Sequence, residues 1–405
     1  MEVAEEGRES AELATRFLRW SFARGVCGRG YWLVASVYLV VVAHLSPSEL
    51  VLIGTFQALV VLIAEVPAGV FADTVSRKWS LVLGHGITAA GIVMTGFVTR
   101  FPELVVSQAL WGLGWAFVSG ADVAWITDEL DQPSQIDRVL AARARWELLG
   151  AATGLVVVGA LAAVTPLATA IVTSGIAFAV VGAWAALRFA ERRFRPSAVE
   201  RRWRAARATL RAGGRLARRD REIFLVIVAW LLVNGSGEGY GRLFEKRLIT
   251  IGFGARGHVI AWFTVLGLVT LLVGAVQLRI VEANIHRGSA ARQTYLAGCM
   301  AGVVGMVAFA AAPNAAVAVA AVLLASPAAK PGSVLRATGE IWVNRRTAAE
   351  VRATVHSLLS QAENLGEFVF GLALAAMNGS GGLTACLIAS AALLAGAAAV
   401  VSRTK

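Results

Sequence analysis

Long apolar stretches recur along the whole of this sequence, and they constrain its fold more than any other feature. There are twelve, and each holds roughly the 20 residues that an α-helix needs to cross the hydrocarbon core of a bilayer. Composition agrees, because 57% of the 405 residues are hydrophobic and only 16% are charged. A backbone in lipid must satisfy its own hydrogen bonds, and the alternating pattern of a barrel strand is absent. The chain is therefore predicted to be an all-α integral membrane protein.

A long basic stretch divides the predicted spans into two equal groups. Residues 191–222 hold twelve arginines and lie between the sixth and seventh spans. We predict an N-terminal six-helix bundle at 1–190, a basic cytoplasmic linker at 191–222 and a C-terminal six-helix bundle at 223–405. The twelve spans are 25–45, 50–72, 79–98, 104–127, 146–164, 168–190, 223–244, 259–281, 294–312, 315–339, 353–377 and 383–401.

The positions of the cations predict the orientation of the chain. Arg and Lys crowd both termini and the even-numbered gaps between spans, whereas the odd-numbered gaps are nearly empty. Arg100 and the seventh gap, with Lys246, Arg247 and Arg256, are the exceptions. The positive-inside rule then places both termini and every even gap in the cytoplasm. Because the net charge of +12 is spread over these boundaries, no nucleic-acid partner is predicted.

The linker leaves two interpretations open. Residues 199–216 contain good helix formers, with Val199, Trp203, Ala206 and Leu210 at three- and four-residue spacing. Such a helix could lie on the anionic inner leaflet with its arginines reaching phosphate. The alternative is a solvated connector that only reinforces the topology.

A short polar gap after the second span reads PAGVFADTVSRKWS, residues 67–80. Gly69 would let two helices approach closely. Asp73 lies at a helix end, where it can meet the N-terminal amides of another helix. Arg77 can form a forked contact with Asp128 or Glu129 at the end of the fourth span. Together these residue types predict a latch between helices.

This gap resembles the loop signature of the major facilitator superfamily, G-x-x-x-D-x-x-[GS]-R-[KR]. The segments WGLGWAFVSGADVAWITDEL and WVNRRTAAEVRATVHSLLSQAENLG are similar to regions of its bacterial drug-efflux members. The resemblance implies twelve helices in two six-helix bundles, with this loop holding the two halves together in the outward-facing state. The implied latch residues are Gly69, Asp73, Ser76, Arg77, Lys78 and Asp128.

Two positions depart from the pattern of proton-coupled exporters. The arginine that they carry in the fourth helix is replaced by Gln108. The fifth span, with Gly150, Gly154 and Gly159, lacks the Gly-Pro pair of the antiporter signature.

Ionisable residues within the spans are candidates for the substrate or proton site, because a charge at membrane depth normally faces a cavity or a partner. Those within about 10 Å of the predicted midplanes are Arg29, Asp122, Glu238, Lys330, Glu363 and Glu367. Asn234 belongs to the glycine-rich NGSGEGYG of the seventh span, which could expose backbone carbonyls. We expect Lys330, between Pro327 and Pro331, to pair with Glu363 or Glu367. A helix-packing role is the alternative for these residues, and snorkelling to the interface is the alternative for Arg29.

Several tryptophans are further candidates for the lining of the substrate site. Trp32, Trp111, Trp115, Trp230 and Trp262 could form an aromatic pocket for a flat amphiphile. Packing or lipid-facing roles are the alternative.

These observations predict a secondary-active transporter that works by alternating access. We expect proton-coupled export of small amphiphilic compounds, with Asp122 or Glu238 losing and gaining a proton. Uptake of a small metabolite is the alternative within transport, and a non-transporting membrane scaffold or sensor on the same fold is the alternative from another class.

The expected partners are a small-molecule substrate, protons and the lipid bilayer, and the expected state is a monomer. No enzyme is predicted, because no triad, paired carboxylates or metal-ligand spacing is recognisable, and Cys27, Cys299 and Cys386 lie in different spans. No cofactor is expected beyond a proton gradient. The excess of arginine over lysine is typical of a GC-rich bacterial genome and predicts a multi-pass protein of the plasma (inner) membrane.

Overall fold

All regular structure in the computed structural model is helical, and the model describes residues 2–130, 132–254, 258–284, 290–328, 334–346 and 349–404. The predicted all-α fold is therefore confirmed. In chain order the helices are α1 (Glu2–Val41), α2 (Pro47–Thr74), α3 (Arg77–Phe97), α4 (Phe101–Val118), α5 (Ala121–Leu130), α6 (Pro133–Val164), α7 (Leu167–Arg188), α8 (Val199–Arg219), α9 (Arg221–Thr250), α10 (Val259–Asn284), α11 (Ala290–Ala311), α12 (Ala315–Ala325), α13 (Val334–Arg346) and α14 (Ala349–Ser402).

Many of these helices have the length and composition of membrane spans. Within the described residues, nine are long and apolar enough to cross a bilayer, with α4 and α5 together forming one span of 30 residues and the last part of α14 another. The shorter apolar stretch Ala315–Ala328 adds to them. The chain is therefore a multi-pass membrane protein, whereas the number of twelve spans and the side of the termini stay predictions.

Two predicted spans contain a break, and two others are joined into one long helix. The fourth is interrupted at Gly120, where φ is +80° and α4 gives way to α5. The tenth contains a 3-10 turn at Ser326–Ala328, just before residues outside the described ranges. The eleventh and twelfth are joined in α14 across Gly382, where φ is 72° and ψ is −179°. Gly120 and Gly382 hold a backbone conformation that glycine adopts at little steric cost.

Residues 1–43 and 60–205 form one compact unit, here called unit 1. Within it α1 packs on α6 and α7, and α3 packs on α4 and α7. Its core is aromatic, because the rings of Trp125 and Phe189 stack with centroids 4.0 Å apart and Trp20 contacts both Phe189 and His85. This core lies beside the loop and the charged residues that concern function.

Residues 44–59 and 206–405 form a second compact unit, unit 2. Within it α9 packs on α14, and α11 packs on α12, α13 and α14. Tyr240, Phe244 and Phe309 form its aromatic core, with ring centroids 5.6 to 6.0 Å apart. Since the unit boundaries fall inside α2 and inside α8, the predicted bundle limits at 190 and 222 stay predictions.

Two cations that break the predicted charge alternation bind backbone carbonyls. Arg247 donates from Nη2 to the carbonyls of Ala310, at 2.9 Å, and Ala312, at 3.0 Å, at the C-terminal end of α11. Lys246 donates to the carbonyl of Leu45. Carbonyls at a helix end lack intrahelical donors, so a cation there stabilises the helix. Lys246 and Arg247 thus have backbone partners within unit 2, and Arg256 lies outside the described residues.

Candidate functional site

The polar loop between α2 and α3 is ordered by its serine. The hydroxyl of Ser76 accepts a hydrogen bond from the backbone N–H of Trp79 at 2.9 Å and thereby caps α3. The same hydroxyl donates to Oε2 of Glu191 at 2.5 Å, and Oε1 of Glu191 accepts from the backbone N–H of Lys78 at 3.0 Å. A carboxylate therefore lies at the N-terminus of α3, where the helix dipole favours negative charge. We expected Asp73 for this kind of contact, but the acid in that place is Glu191.

Arg77 joins the loop to α5. Its Nη1 donates to the carbonyl of Ala124 at 2.7 Å, and the same nitrogen pairs with the carboxylate of Asp128. Its Nη2 lies 3.5 Å from Oδ1 of Asp73. The guanidinium group of Arg77 thus contacts both Asp73 and Asp128. It connects the end of α2 to α5.

Asp73 also contacts the chain that follows α7. Its Oδ2 lies 3.0 Å from Nη2 of Arg202 in α8, and its backbone carbonyl accepts from the N–H of Ser197 at 3.0 Å. Nearby, Oε1 of Glu129 accepts from the backbone N–H groups of Arg192 and Arg193, both at 2.9 Å. The first residues of the basic linker are therefore bound by backbone hydrogen bonds to Asp73 beside the loop and to Glu129 at the end of α5.

Gly69 does not make the close helix contact that we expected. It is exposed, and no described atom lies within 4 Å of a Cβ built on it. The close approach in this part of the fold is between α3 and α4, where a Cβ on Gly114 would lie 2.5 Å from the carbonyl oxygen of Gly84. Gly69 thus lies on the surface that unit 1 presents at the end of α2, while the side chain of Lys78 lies over the ring of Trp79.

Asp122 lies at the start of α5 in a network of four charged side chains. Its Oδ2 is 2.7 Å from Nη2 of Arg143 and 3.3 Å from Nη1 of Arg24. Oε1 of Glu147 is 2.6 Å from Arg24 and 3.0 Å from Arg143. The Asp122 side chain is 3% exposed and those of the two arginines are 14% and 17% exposed, so burial makes these contacts stronger than surface ion pairs. Two acids and two bases give the network no net charge.

The network connects three separate helices. Arg24 lies on α1, Asp122 on α5, and Arg143 with Glu147 on α6. The break at Gly120 starts α5 just before Asp122, whose Oδ1 accepts from the N–H of Val123 at 2.7 Å. The loss or gain of one proton within the network would change how these three helices are held together.

Gln108 lies in a neutral, fully buried cluster. Its Nε2 donates to the hydroxyl of Tyr31 at 2.7 Å and to Oγ1 of Thr95 at 3.1 Å, and Thr95 donates to Ser107 at 3.0 Å. Oε1 of Gln108 is buried without a hydrogen-bond partner among the described residues. All the side chains of this cluster are uncharged, so position 108 carries no proton-binding group, whereas the Asp122 network contains two carboxylates.

Three tryptophans in unit 1 form a continuous aromatic surface, here called the aromatic wall. The rings of Trp32 and Trp111 meet edge to face with centroids 5.1 Å apart, and Trp111 stacks on Trp115 at 5.7 Å and 6°. Trp115 is 44% exposed, so the wall has an open end. The other two candidates belong to unit 2, where Trp230 is buried and Trp262 contacts Phe253.

Glu238 in unit 2 is paired with an arginine on its own helix. Nε of Arg242 is 2.8 Å from Oε1 of Glu238, and Nη2 of Arg242 donates to Oε1 of Gln57 at 2.8 Å. A Cβ on Gly54 of α2 would lie 1.6 Å from Oε1 of Glu238, so a larger residue at this position would force the ion pair to shift. Asn234, one turn earlier in α9, donates to the carbonyl of Trp230 at 2.8 Å.

Three candidates remain on α1 and α14. Glu363 accepts two bonds from Nη1 of Arg336, at 2.9 and 3.0 Å. Glu367 is half-buried one turn further along α14, and Arg29 is half-buried on α1. Lys330 lies outside the described residues, so its expected pairing with Glu363 or Glu367 does too.

Sequence reasoning missed four members of these sites. In the sequence, Arg24 and Arg143 lie among the cations at span boundaries, Glu191 opens the basic linker, and Arg242 follows the glycine-rich segment of the seventh span without a distinguishing pattern. A signal existed for Arg143 and Glu147, whose spacing of four residues places opposite charges on one helix face. Among the described residues, no group of three or more His, Cys, Asp or Glu side chains could hold a metal ion.

Comparisons with known proteins agree with this architecture. A family model described as Major Facilitator Superfamily matches residues 21–371. A search of curated proteins finds no match. The solved nucleoside transporter NupG has a TM-score of 0.78 at 13% identity, covering 97% of this chain and 98% of its own.

Two further solved structures are similar over their whole length. A bacterial homologue of the human lysosomal transporter Spinster has a TM-score of 0.73 at 14% identity and covers 98% of this chain and 97% of its own. A peptide transporter, POT, has a TM-score of 0.72 at 13% identity and covers 97% of each chain. At these identities the likeness is one of fold.

Proposed function

Because the chain belongs to the major facilitator superfamily, and is therefore a membrane transporter and not an enzyme, we propose that it exports small amphiphilic compounds in exchange for protons. Transport would proceed by alternating access, with the proton gradient as the source of energy and no cofactor. The proposed location is the bacterial plasma (inner) membrane, and the proposed state is a monomer.

The aromatic wall is the observation that carries this proposal. The rings of Trp32, Trp111 and Trp115 pack against one another in a row, and the exposed side of Trp115 leaves one end of the wall open. Flat apolar or cationic molecules stack on an exposed indole ring, with a gain of about 1 kcal/mol beyond simple burial. The neutral Gln108 cluster behind the wall offers no fixed charge that would select an anion. These features favour a flat amphiphile over a strongly charged metabolite.

The Asp122 network is the proposed site of proton coupling. A proton on Asp122 removes the negative charge that balances Arg143 and Arg24, both of which are mostly buried. The two guanidinium groups then share Glu147 alone, which weakens the connection of α5 to α1 and α6. Protonation would thereby shift the equilibrium between two arrangements of unit 1.

The loop between α2 and α3 is the proposed latch. The contacts of Arg77 with Ala124, Asp128 and Asp73 support this role, because they tie the ends of two helices to one guanidinium group. A latch of this kind would stabilise one arrangement of the transporter relative to the other, and its loss would slow the transport cycle without removing the substrate site.

The experiment is an accumulation assay with a panel of fluorescent cationic and neutral dyes in cells that lack their own major pumps. Cells would carry the wild type, Asp122→Asn, Asp73→Asn or the matched control Asp137→Asn, each with and without a protonophore. Asp137 is exposed on α6 and has no ion pair among the described residues. Protein in the membrane would be quantified for every variant.

We expect the wild type and Asp137→Asn to lower dye accumulation, and we expect Asp122→Asn and the protonophore to abolish the effect. An unchanged dye level with confirmed membrane protein would exclude broad export. Higher accumulation than in empty cells would instead indicate uptake. If Asp122→Asn and Asp73→Asn behaved as wild type in every transport assay, a non-transporting scaffold or sensor would be the better account.

A further inference from the structure

The exposed arginines of α8 form a single stripe. Arg201, Arg204, Arg207, Arg211, Arg215 and Arg218 recur at intervals of three and four residues, and all six are exposed. At about 100° per residue they cover about a third of the helix circumference. The spacing keeps six positive charges on one side over the whole length of α8.

This charge is left unbalanced by the protein. The six arginines form no ion pair among the described residues, and Glu200 is the only acid in Val199–Arg219. Like charges at i, i+4 spacing destabilise a helix by up to about 0.5 kcal/mol per pair when nothing neutralises them. Such a stripe fits a partner that supplies several negative charges.

The opposite side of α8 is held by the protein. Gly213 is buried, and a Cβ on it would lie 2.6 Å from the side chain of Leu358 in α14. At the start of the helix, Arg202 pairs with Asp73 at 3.0 Å, while the apolar side chain of Val199 is 53% exposed. Arg202 therefore holds the start of α8 within unit 1 and Gly213 packs its later part within unit 2, while the six arginines of the stripe lie on the other side of the helix.

The position of α8 in the chain fixes which surface it can reach. It follows α7 and precedes α9, both of which are long and apolar enough to span a membrane, so it lies at one face of the bilayer. Its 21 residues correspond to about 30 Å of helix, enough to run along several lipid headgroups. An anionic lipid surface is the extended negative partner present at that place.

We infer that α8 binds the phosphate groups of anionic phospholipids through this arginine stripe. An arginine near an anionic leaflet gains about 1 kcal/mol, and a guanidinium group forms paired hydrogen bonds with phosphate. Because Arg202 of the same helix contacts Asp73 of the loop, lipid binding also fixes the position of one latch residue. This lipid contact is independent of the transported substrate and goes beyond the proposed function.

The test measures lipid selectivity of the full-length protein reconstituted in phosphatidylcholine membranes. Electron spin resonance would report the protein-associated fraction of spin-labelled phosphatidylglycerol and of spin-labelled phosphatidylcholine. The test variant changes Arg204, Arg207, Arg211 and Arg215 to Gln, and the matched control changes the same four to Lys. Additional samples contain glycerol phosphate or single-stranded DNA as competitors.

We expect the wild type and the Lys variant to select phosphatidylglycerol at least about twofold, and the Gln variant to lose the selectivity. The wild-type preference should also disappear in about 1 M salt, where the Debye length is about 3 Å. If the Gln variant does not fold, this salt dependence of the wild type tests whether the selectivity for phosphatidylglycerol is electrostatic. Equal association of the two lipids with the wild type, or unchanged selectivity in the Gln variant, would overturn the inference. Displacement of the lipid by millimolar glycerol phosphate or by DNA would overturn it as well, in favour of a soluble anion.

Discussion

Neutralising Asp122 should destabilise unit 1, because its carboxylate balances two mostly buried guanidinium groups. With charge centres about 4 Å apart and an effective dielectric constant of about 20, its attraction to one arginine is about 4 kcal/mol. Asparagine keeps the shape and can still accept a hydrogen bond, and Glu147 remains at 2.6 and 3.0 Å from the two arginines. We therefore expect Asp122→Asn to lower the free energy of unfolding by about 3 kcal/mol, at the lower end for a broken buried pair.

A second substitution tests whether charge balance is the cause. Arg143→Gln added to Asp122→Asn restores neutrality, so the double variant should be more stable than the sum of the single effects predicts, with a coupling energy of about 2 kcal/mol. Asp137→Asn and Arg145→Gln are the matched controls, since both residues are exposed on α6. Their effects should be small and add to within about 0.5 kcal/mol.

The assay is unfolding by dodecyl sulfate in mixed micelles, followed by tryptophan fluorescence, for the wild type, the four single variants and the two double variants. The reasoning fails if Asp122→Asn is as mild as Asp137→Asn. It also fails if the coupling between Asp122 and Arg143 is no larger than in the control pair.

Three further substitutions test the local geometry. Gly54→Ala places a methyl group where the side chains of Glu238 and Arg242 meet, so the ion pair must shift and the variant should be less stable than the wild type in the same unfolding assay. Gly86→Ala, with open space around it, should be neutral or stabilise α3 by up to about 1 kcal/mol. Equal effects of the two substitutions would contradict the predicted displacement of the ion pair. Arg77→Lys keeps the positive charge but cannot form the forked, two-nitrogen contact, so it should reduce dye export severalfold. Lys78→Arg should leave dye export unchanged. Equal export rates for the two variants would show that the forked contact is not needed for transport. Ser76→Ala should cost about 1 kcal/mol through loss of the α3 cap, and an unchanged unfolding midpoint would argue against that cap.

The helical fold could be predicted from the sequence because apolar runs and helix length are local properties. The breaks were harder to predict. Gly120 interrupts an apolar run without a proline, and only its φ of +80° shows that α4 ends there. The start of the first helix also differs from the prediction, because α1 begins at Glu2 whereas the first membrane span was predicted to begin at residue 25. Charged residues that favour helix formation extend this helix beyond its apolar part.

The candidate sites show the same division between local and long-range information. Arg77 and Asp128 were expected to meet, because a signature loop and the end of a neighbouring span suggest it, and the structure places them in contact. Arg24 and Asp122 are 98 positions apart, and no local pattern in one sequence indicates that pairing. In a single sequence, an arginine at the boundary of a span that orients the chain cannot be distinguished from one that neutralises a buried acid.

Substrate-dependent proton movement in proteoliposomes would show whether transport is coupled to protons. Purified protein would be reconstituted with a pH-sensitive dye inside, and an amphiphilic cation that it exports from cells would be added outside without an imposed pH gradient. We expect a change of internal pH with the wild type and with Asp137→Asn, and none with Asp122→Asn. Movement of the cation without any change of internal pH would contradict proton-coupled export.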